Sequence, residues 1–374
     1  MDKKKMTALI ALGAVTIIAI VVGVIAVLSS KKNIETPKPV QVSTATPEPV
    51  PTPEPTEAPV DHGDKVKSRL TGEYISKKVA AERPFSIMIN NIEYANLRQR
   101  GTSKLDIVYE ALAEGGITRM LGVFQGVKKI KTLGSVRSAR HYYVSFSDEW
   151  DSIFCHFGQT KYAISKMKEL KTNNLSGLSA IGGVVYRRDN SVKPPHNVYT
   201  DGKKILKGAK KLKYRTKIKE SKMAEHFDFY EEDTDLESGD NCKYVYLPFS
   251  YYSICYLKYD SKAKVYKKFE YKKKHMDHKY NKQLQFKNVI IQLVKEKNID
   301  KNGYQHLSLH RAHGKGYYIS NGKCTKITWR KSEEDGEMCY YNEDGDKLTI
   351  NPGKTYIAAY PKNRAKLIKF KKKK

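Results

Sequence analysis

The residues whose types and spacing come nearest to a ligand site lie in the run Leu133-Gly134-Ser135-Val136-Arg137-Ser138-Ala139-Arg140-His141. The pattern from Ser135 to Trp150 predicts a helix, which places Arg137 and Arg140 three apart in its first turns, on one face. A helix N-terminus is partly positive, so each cation there is mismatched by roughly 0.3–1 kcal/mol. A bound phosphate or carboxylate reverses that penalty, because free backbone N–H groups and guanidinium forks both donate to it. Internal pairing is the other outcome: Asp106, Glu110 and Glu114 recur every four residues on a preceding predicted helix that starts at Ser103 and stops at Gly115-Gly116. The two outcomes are compatible. The ligand-binding set is therefore Arg119, Ser135, Arg137, Ser138, Arg140, Arg187, His196 and Asn197.

Catalysis would need an acid–base group within reach of the same ligand. His156 sits inside the apolar run Phe154-Cys155-His156-Phe157, and His196 follows Pro194-Pro195 with Arg187, Arg188 and Asp189 nearby. If His156 and His196 met beside Arg137 and Glu114, they could work on a phosphodiester or acyl substrate. Histidines satisfied within the fold are the commoner outcome, and the catalytic candidates His156, His196 and Glu114 stand as candidates only. His306, His310 and His313 invite a metal, but no cysteine or carboxylate completes a ligand set beside them, so no metal is assigned. Consecutive strand residues point to opposite faces, which separates Cys155 from His156. The chain has no G-x-S-x-G, no P-loop and no G-x-G-x-x-G, and no cofactor is expected. Of five cysteines, Cys242, Cys255, Cys324 and Cys339 lie in the second half, and no C-x-x-C occurs; buried reduced thiols are expected.

These residues must be positioned by an alternating pattern from about Val66 to Thr200. Pro84 to Ile89, Arg119 to Gln125 and Ser152 to Phe157 read as strands, and Lys161 to Leu170 as a helix. Asp201 to Lys222 is lysine-rich and amphipathic, with Ile205, Leu206, Ala209 and Leu212 on its apolar side, and an acidic stretch from Glu225 to Asp240 marks a boundary. Beyond it, Tyr244–Phe249, Ser253–Tyr259, Val265–Tyr271, Val289–Val294, Tyr317–Ile319 and Thr325–Trp329 are Tyr/Val/Ile-rich runs. They are punctuated by Asn321-Gly322, Asp335-Gly336, Asp344-Gly345 and Pro352-Gly353, which are turn signals. The fold class is an α/β N-terminal domain (65–235) followed by a β-rich C-terminal domain (240–362), with a single N-terminal transmembrane helix. Residues 363–374, with seven Lys or Arg from Arg364 onward, read as a solvated basic tail.

Ala8 to Leu28 is a 21-residue run without a charge, long enough for the roughly 30 Å hydrocarbon core. Lys3, Lys4 and Lys5 precede it and Lys31 and Lys32 follow, a slight bias toward a cytoplasmic N-terminus. Residues 1–30 are thus a membrane anchor or a cleaved signal, the anchor being preferred because the run exceeds a signal core of about 7–15 residues. Residues 31–64 form a tether; Glu35 to Pro59 holds eight of the 14 prolines and cannot bury enough apolar surface to fold. This places the protein at the plasma membrane, single-pass, with its globular part extracytoplasmic. The formal charge of +29 would suggest nucleic acid in the cytosol. With no nucleic-acid motif and an exported body, the expected partners are an anionic envelope polymer or lipid headgroups, with another envelope protein as a further candidate, and no nucleic acid.

Several motifs in order carry a resemblance: Arg83-Pro84 with Ile87-Met88-Ile89, Asp106-Ile107-Val108-Tyr109-Glu110, Glu114-Gly115-Gly116-Ile117-Thr118-Arg119, and Ser135 through Arg140. Cys155-His156-Phe157-Gly158, Pro194-Pro195-His196-Asn197-Val198-Tyr199 and Asn351-Pro352-Gly353-Lys354-Thr355-Tyr356 extend it. Together, over roughly Leu70 to Tyr360, they resemble the YerB-like lipoprotein family. The resemblance implies an extracytoplasmic, membrane-attached protein with an α/β and a β-rich domain, and no settled activity. This chain departs from the pattern in having no cysteine before Cys155 to accept a lipid. The expected function is a membrane-anchored envelope binding or scaffold protein with an arginine-lined anion cleft. The alternative is an envelope hydrolase acting on a phosphodiester or glycan-linked substrate.

Overall fold

Phe85–Asn90 (β1) is buried at every position, as a central strand must be. The computed structural model, which describes residues 62–222, 226–333 and 336–372, surrounds it with strands from both ends of the chain. In chain order these are Ile107–Leu112 (β2), Thr118–Phe124 (β3), Ile153–His156 (β4) and Asn174–Ser176 (β5), with helices His141–Asp148 (α1), Lys161–Glu169 (α2) and Gly202–Lys211 (α3). The second half adds Asp240–Asn241 (β6), Tyr244–Pro248 (β7), Ile254–Asp260 (β8), Val265–Glu270 (β9), Asn288–Val294 (β10), Ala312–Ser320 (β11), Lys323–Lys331 (β12), Cys339–Tyr341 (β13), Thr355–Pro361 (β14) and Lys369–Lys371 (β15). The large sheet runs β6-β12-β11-β10-β14-β2-β3-β1-β4-β5, with β13 on the side of β12. β14 pairs in parallel with β10 on one side and β2 on the other, Tyr356 opposite both Val289 and Val108. The expected α/β and β-rich portions are both present, and one sheet joins them across the expected boundary.

A second sheet of β9-β8-β7-β15 packs Val245, Leu247, Cys255 and Leu257 onto one face of the large sheet. Tyr142, Tyr143 and Phe146 of α1 cover the other face with Met88, Tyr109 and Leu121. Ile205 and Ala209 bury the apolar side of α3, and the Asp201 side chain caps it by accepting from Lys204 N at 2.9 Å. Asn321-Gly322 forms the two-residue loop between β11 and β12 with φ of 47° and 80°, as such a dipeptide favours.

Three sequence expectations fail. The helix expected from Ser103 to Glu114 is a short 3-10 turn, Thr102–Lys104, followed by β2; the run Ile107-Val108-Tyr109 prefers a pleated, buried surface, and cross-strand pairing outweighs the capping signal. Ser135 to Arg140 is extended, and α1 begins at His141. Nor is 363–374 a free tail: Lys362–Leu367 is a 3-10 helix, and β15 pairs antiparallel with Tyr244–Tyr246. Asp335, Ala8 to Leu28 and the proline-rich tether lie outside the described residues; among the described residues no helix is long and apolar enough to cross a membrane.

Phe370 of β15 packs on Tyr317, ring centroids 4.9 Å apart. Deleting everything after Pro361 should therefore cost about 2 kcal/mol, the burial of one aromatic side chain, with a few ladder hydrogen bonds adding to it. The loss would be read as a lower urea midpoint; an unchanged midpoint would make this segment energetically a tail after all.

Candidate functional site

Ser135 to Arg140 forms a strap across the carboxyl ends of β1 and β4. Asn90 N donates to Ser135 O at 2.9 Å and Arg137 N to Met88 O at 3.3 Å, while on the other side Phe157 N reaches Arg137 O at 3.0 Å and Ala139 N reaches Gly158 O at 2.9 Å. Those backbone pairings explain why no helix forms here. A Cβ on Gly158 (φ +89°) would lie 2.6 Å from Ser138 Oγ, so the strap needs glycine at that point. The turn after β2 brings Glu114, and the start of β3 brings Arg119, to this same edge. In open α/β sheets, ligands bind outside the carboxyl ends of the parallel strands.

Arg137 and Arg140 therefore share no helical face, and they have different fates. Arg140 grips Glu114 with both arms of its fork, Nε to Oε2 at 2.9 Å and a shorter bond from Nη2 to Oε1, while Arg119 Nη2 donates to Oε1 at 2.9 Å. Burial pushes the Glu114 carboxyl up, but the Arg140 hydrogen bond and the charges of Arg119 and Arg140 outweigh it and hold the group below its usual range. The other two expected carboxylate partners are elsewhere. Asp106 accepts from Gln125 N at 3.0 Å and is pushed up to about 6, chiefly by burial; Glu110 points into the interior. Three arginines thus lie about one carboxylate, which two of them take up. Arg119, fully enclosed, is pushed down to about 10 by burial and then by Arg140. The half-buried Arg137 is depressed by burial and again by Arg140, and its guanidinium has no hydrogen-bond or ion-pair partner among the described residues. Two further buried polar atoms, Arg119 Nε and Ser135 Oγ, also have no partner there.

His196 lies at the rim of this cluster. Its Nδ1 is 2.8 Å from Asn90 Nδ2, its ring is tilted against Tyr94, and burial followed by the charge of Arg137 lowers its pKa. Asn197 accepts from Arg188 Nη1 at 2.7 Å, and exposed Arg187 reaches Thr132 Oγ1 at 3.4 Å; neither touches the arginine cluster. Ser138 contributes its carbonyl, which accepts from Arg119 Nη1. His156 is a satisfied interior histidine, its ring nitrogens 3.0 Å from Gly158 O and 3.2 Å from Asn174 Oδ1. Among the described residues no hydrogen bond or ring contact joins His156, His196 and Glu114, so the catalytic constellation is not assembled.

The sequence reading missed the imidazoles beside Arg140. His141 Nε2 is 3.1 Å from His306 Nδ1, and one turn along α1 Ser145 Oγ is 2.8 Å from His310 Nε2. Burial, then the neighbouring imidazoles and cations, pushes His141 down to about 4. The adjacency of His141 to Arg140 was visible in the sequence; its pairing with residues 165 positions later was not. A potential metal set of Glu110, Cys255 and Glu270 is fully buried, but the Lys268 ammonium already occupies it, 3.0 Å from Glu110 Oε2 and hydrogen-bonded to Glu270. The cysteines are free thiols, four of them buried.

Residues 70–215 match the family model described as "Protein of unknown function (DUF3048) N-terminal domain", and residues 245–357 match its C-terminal domain. The chain is 33% identical over 305 residues to the "Putative lipoprotein YerB" of Bacillus subtilis (strain 168), covering 82% of this chain and 89% of that protein. The crystal structure of YerB from Bacillus subtilis superposes with a TM-score of 0.71 at 30% identity, covering 82% of this chain and all of that one.

Proposed function

The chain belongs to the DUF3048 family, and on that premise we propose that it is a membrane-attached, extracytoplasmic binding protein whose strap cleft takes an anionic group of the phosphate or carboxylate class. The observation that carries this reading is Arg137, a half-buried guanidinium with no ion pair of its own among the described residues, beside two arginines that take up the single nearby carboxylate, Glu114. An incoming anion would meet Arg137 and relieve the repulsion among the three. Ser135 and His196 lie near enough on the strap and its neighbouring loop to add neutral donors. The relative's name describes a lipoprotein; for this chain, which has no cysteine before Cys155, the uncharged run Ala8 to Leu28 supports attachment by a single span instead. The body would then face the polymers and headgroups of the envelope.

Because Arg137 carries charge without a partner, Arg137→Gln should leave the unliganded protein equally stable or more so. Inorganic phosphate at a hundredfold excess over its Kd should stabilise the parent by about 2.7 kcal/mol and the variant scarcely at all. Thermal melts at constant ionic strength read both. Equal phosphate-induced shifts in parent and variant would remove the site.

A further inference from the structure

The large sheet has a concave feature on the same edge as the strap, farther from β1. β10 ends at Val294 and β14 at Pro361, and these parallel strands deliver Lys295, Lys362 and Lys366 to their carboxyl ends. β11 runs the other way and begins there, with Arg311 just before it and Lys315 within it, while Arg330 lies near the end of β12. These six cations line a cleft of about 1090 Å³, and no Asp or Glu lines it. All six are solvent-exposed except where Arg330 lies against Tyr341, to whose hydroxyl it donates at 3.0 Å. None of them makes an ion pair with a carboxylate among the described residues.

That contrasts with how the chain treats its buried cations. Lys331, one residue beyond Arg330, is buried against Glu149 at 2.9 Å, and Lys287 is held by Asp233. Arg83 is paired with Asp151. The alternation along β11 and β12 sorts the charges: His313 and Lys315 face outward opposite Arg330 and Thr328, whereas Trp329 between them is buried. Neither Lys315 nor Arg330 therefore has a carboxylate opposite it on the neighbouring strand. A concave, one-signed cleft focuses field lines and concentrates counter-ions.

We infer that this groove holds a linear polyanion, a chain of phosphate groups long enough to meet several of the six cations at once. The charge pattern gives the sign of the occupant, and the concavity gives its shape: a thread can enter a cleft between strand ends, whereas a flat bilayer would meet only its lips. The groove and the strap lie on one rim of the sheet, linked through α1. Arg140 stands at its N-terminus, and its Ser145 contacts His310, which itself lines the groove. The inference does not depend on an anion at Arg137.

The test uses the full chain and inorganic polyphosphate of several tens of units. Lys295→Gln, Lys315→Gln and Lys366→Gln, all at exposed positions, should together weaken polyphosphate binding about tenfold or more near 0.1 M salt, and flatten the log Kd against log salt slope by about 2. The control removes the same charge from α3, as Lys203→Gln, Lys207→Gln and Lys210→Gln. The groove triple should show the same inorganic-phosphate melting shift as the parent, which keeps this result separate from the fate of the strap site. The inference is overturned if the groove triple binds like the parent, if the α3 triple loses as much, or if the parent binds vesicles of 3:1 phosphatidylcholine to phosphatidylglycerol but not polyphosphate.

Discussion

Lys268→Met should destabilise the folded protein by about 3–5 kcal/mol, the usual cost of stranding buried charge. Lys268 is wholly enclosed, its Nζ 3.0 Å from Glu110 Oε2, bonded to Glu270, and 3.2 Å from His275 Nδ1. Glu110 also accepts from Asn91, Thr118 and Tyr356, and His275 is hydrogen-bonded to Asn96 and Gln99, so one ammonium ties strands from both family domains. Burial, and then the charge of Glu270, already raises Glu110; Lys268 works against both. Without the lysine the Glu110 carboxyl would rise further and bind a proton in the folded state that the unfolded chain releases. Stability of the variant should therefore fall as pH rises from about 5 to 8. Urea melts of parent and variant at the two pH values check this, and a loss below about 1 kcal/mol at both would show that the network is bypassed by water or rearrangement.

Glu114→Gln should cost about 2–3 kcal/mol, somewhat less than a fully buried pair because the carboxylate is 27% exposed. It leaves Arg119 and Arg140 beside Arg137 with no carboxylate among them. The same change should tighten phosphate binding at the strap, since the competing Glu114 carboxylate is gone; destabilisation and affinity rise together. In the parent, a carboxyl held below its usual range contributes stability that is present above about pH 4.5 and lost as pH falls through its lowered folded value. That acid-side loss should be absent in Glu114→Gln. A variant as stable as the parent, with unchanged phosphate affinity, would mean that the arginines are neutralised by solvent alone.

Strands were legible where side chains alternate or run apolar: β1, β3, β4, β7, β8 and β10 were placed within a residue or two. Helices α2 and α3 were visible by period, and the Asn321-Gly322 hairpin by its dipeptide. β2 was misread because Asp106, Glu110 and Glu114 fall at helical spacing by coincidence, each serving a different partner. The strap was misread because its extended form is imposed by β1 on one side and Gly158 on the other, contacts that no local window contains. For the site, the residue types were right and the pairing was half right: Glu114 does hold Arg140, yet it holds Arg119 as well and leaves Arg137 alone.

The position of β14 has a consequence for how the protein comes into being. β2 is sandwiched between β3 and β14, and β14 is made about 250 residues after β2. A nascent chain that has finished the first family domain still carries one edge of β2 with its N–H and C=O groups bare, together with the apolar faces that β10 and β14 would extend. Such an edge invites pairing with another chain. The first half thus cannot complete itself as it emerges, and closing so long a loop is slow. A factor that holds extended segments apart would act over this interval, and any premature stop before Thr355 should yield aggregate rather than a working half-molecule.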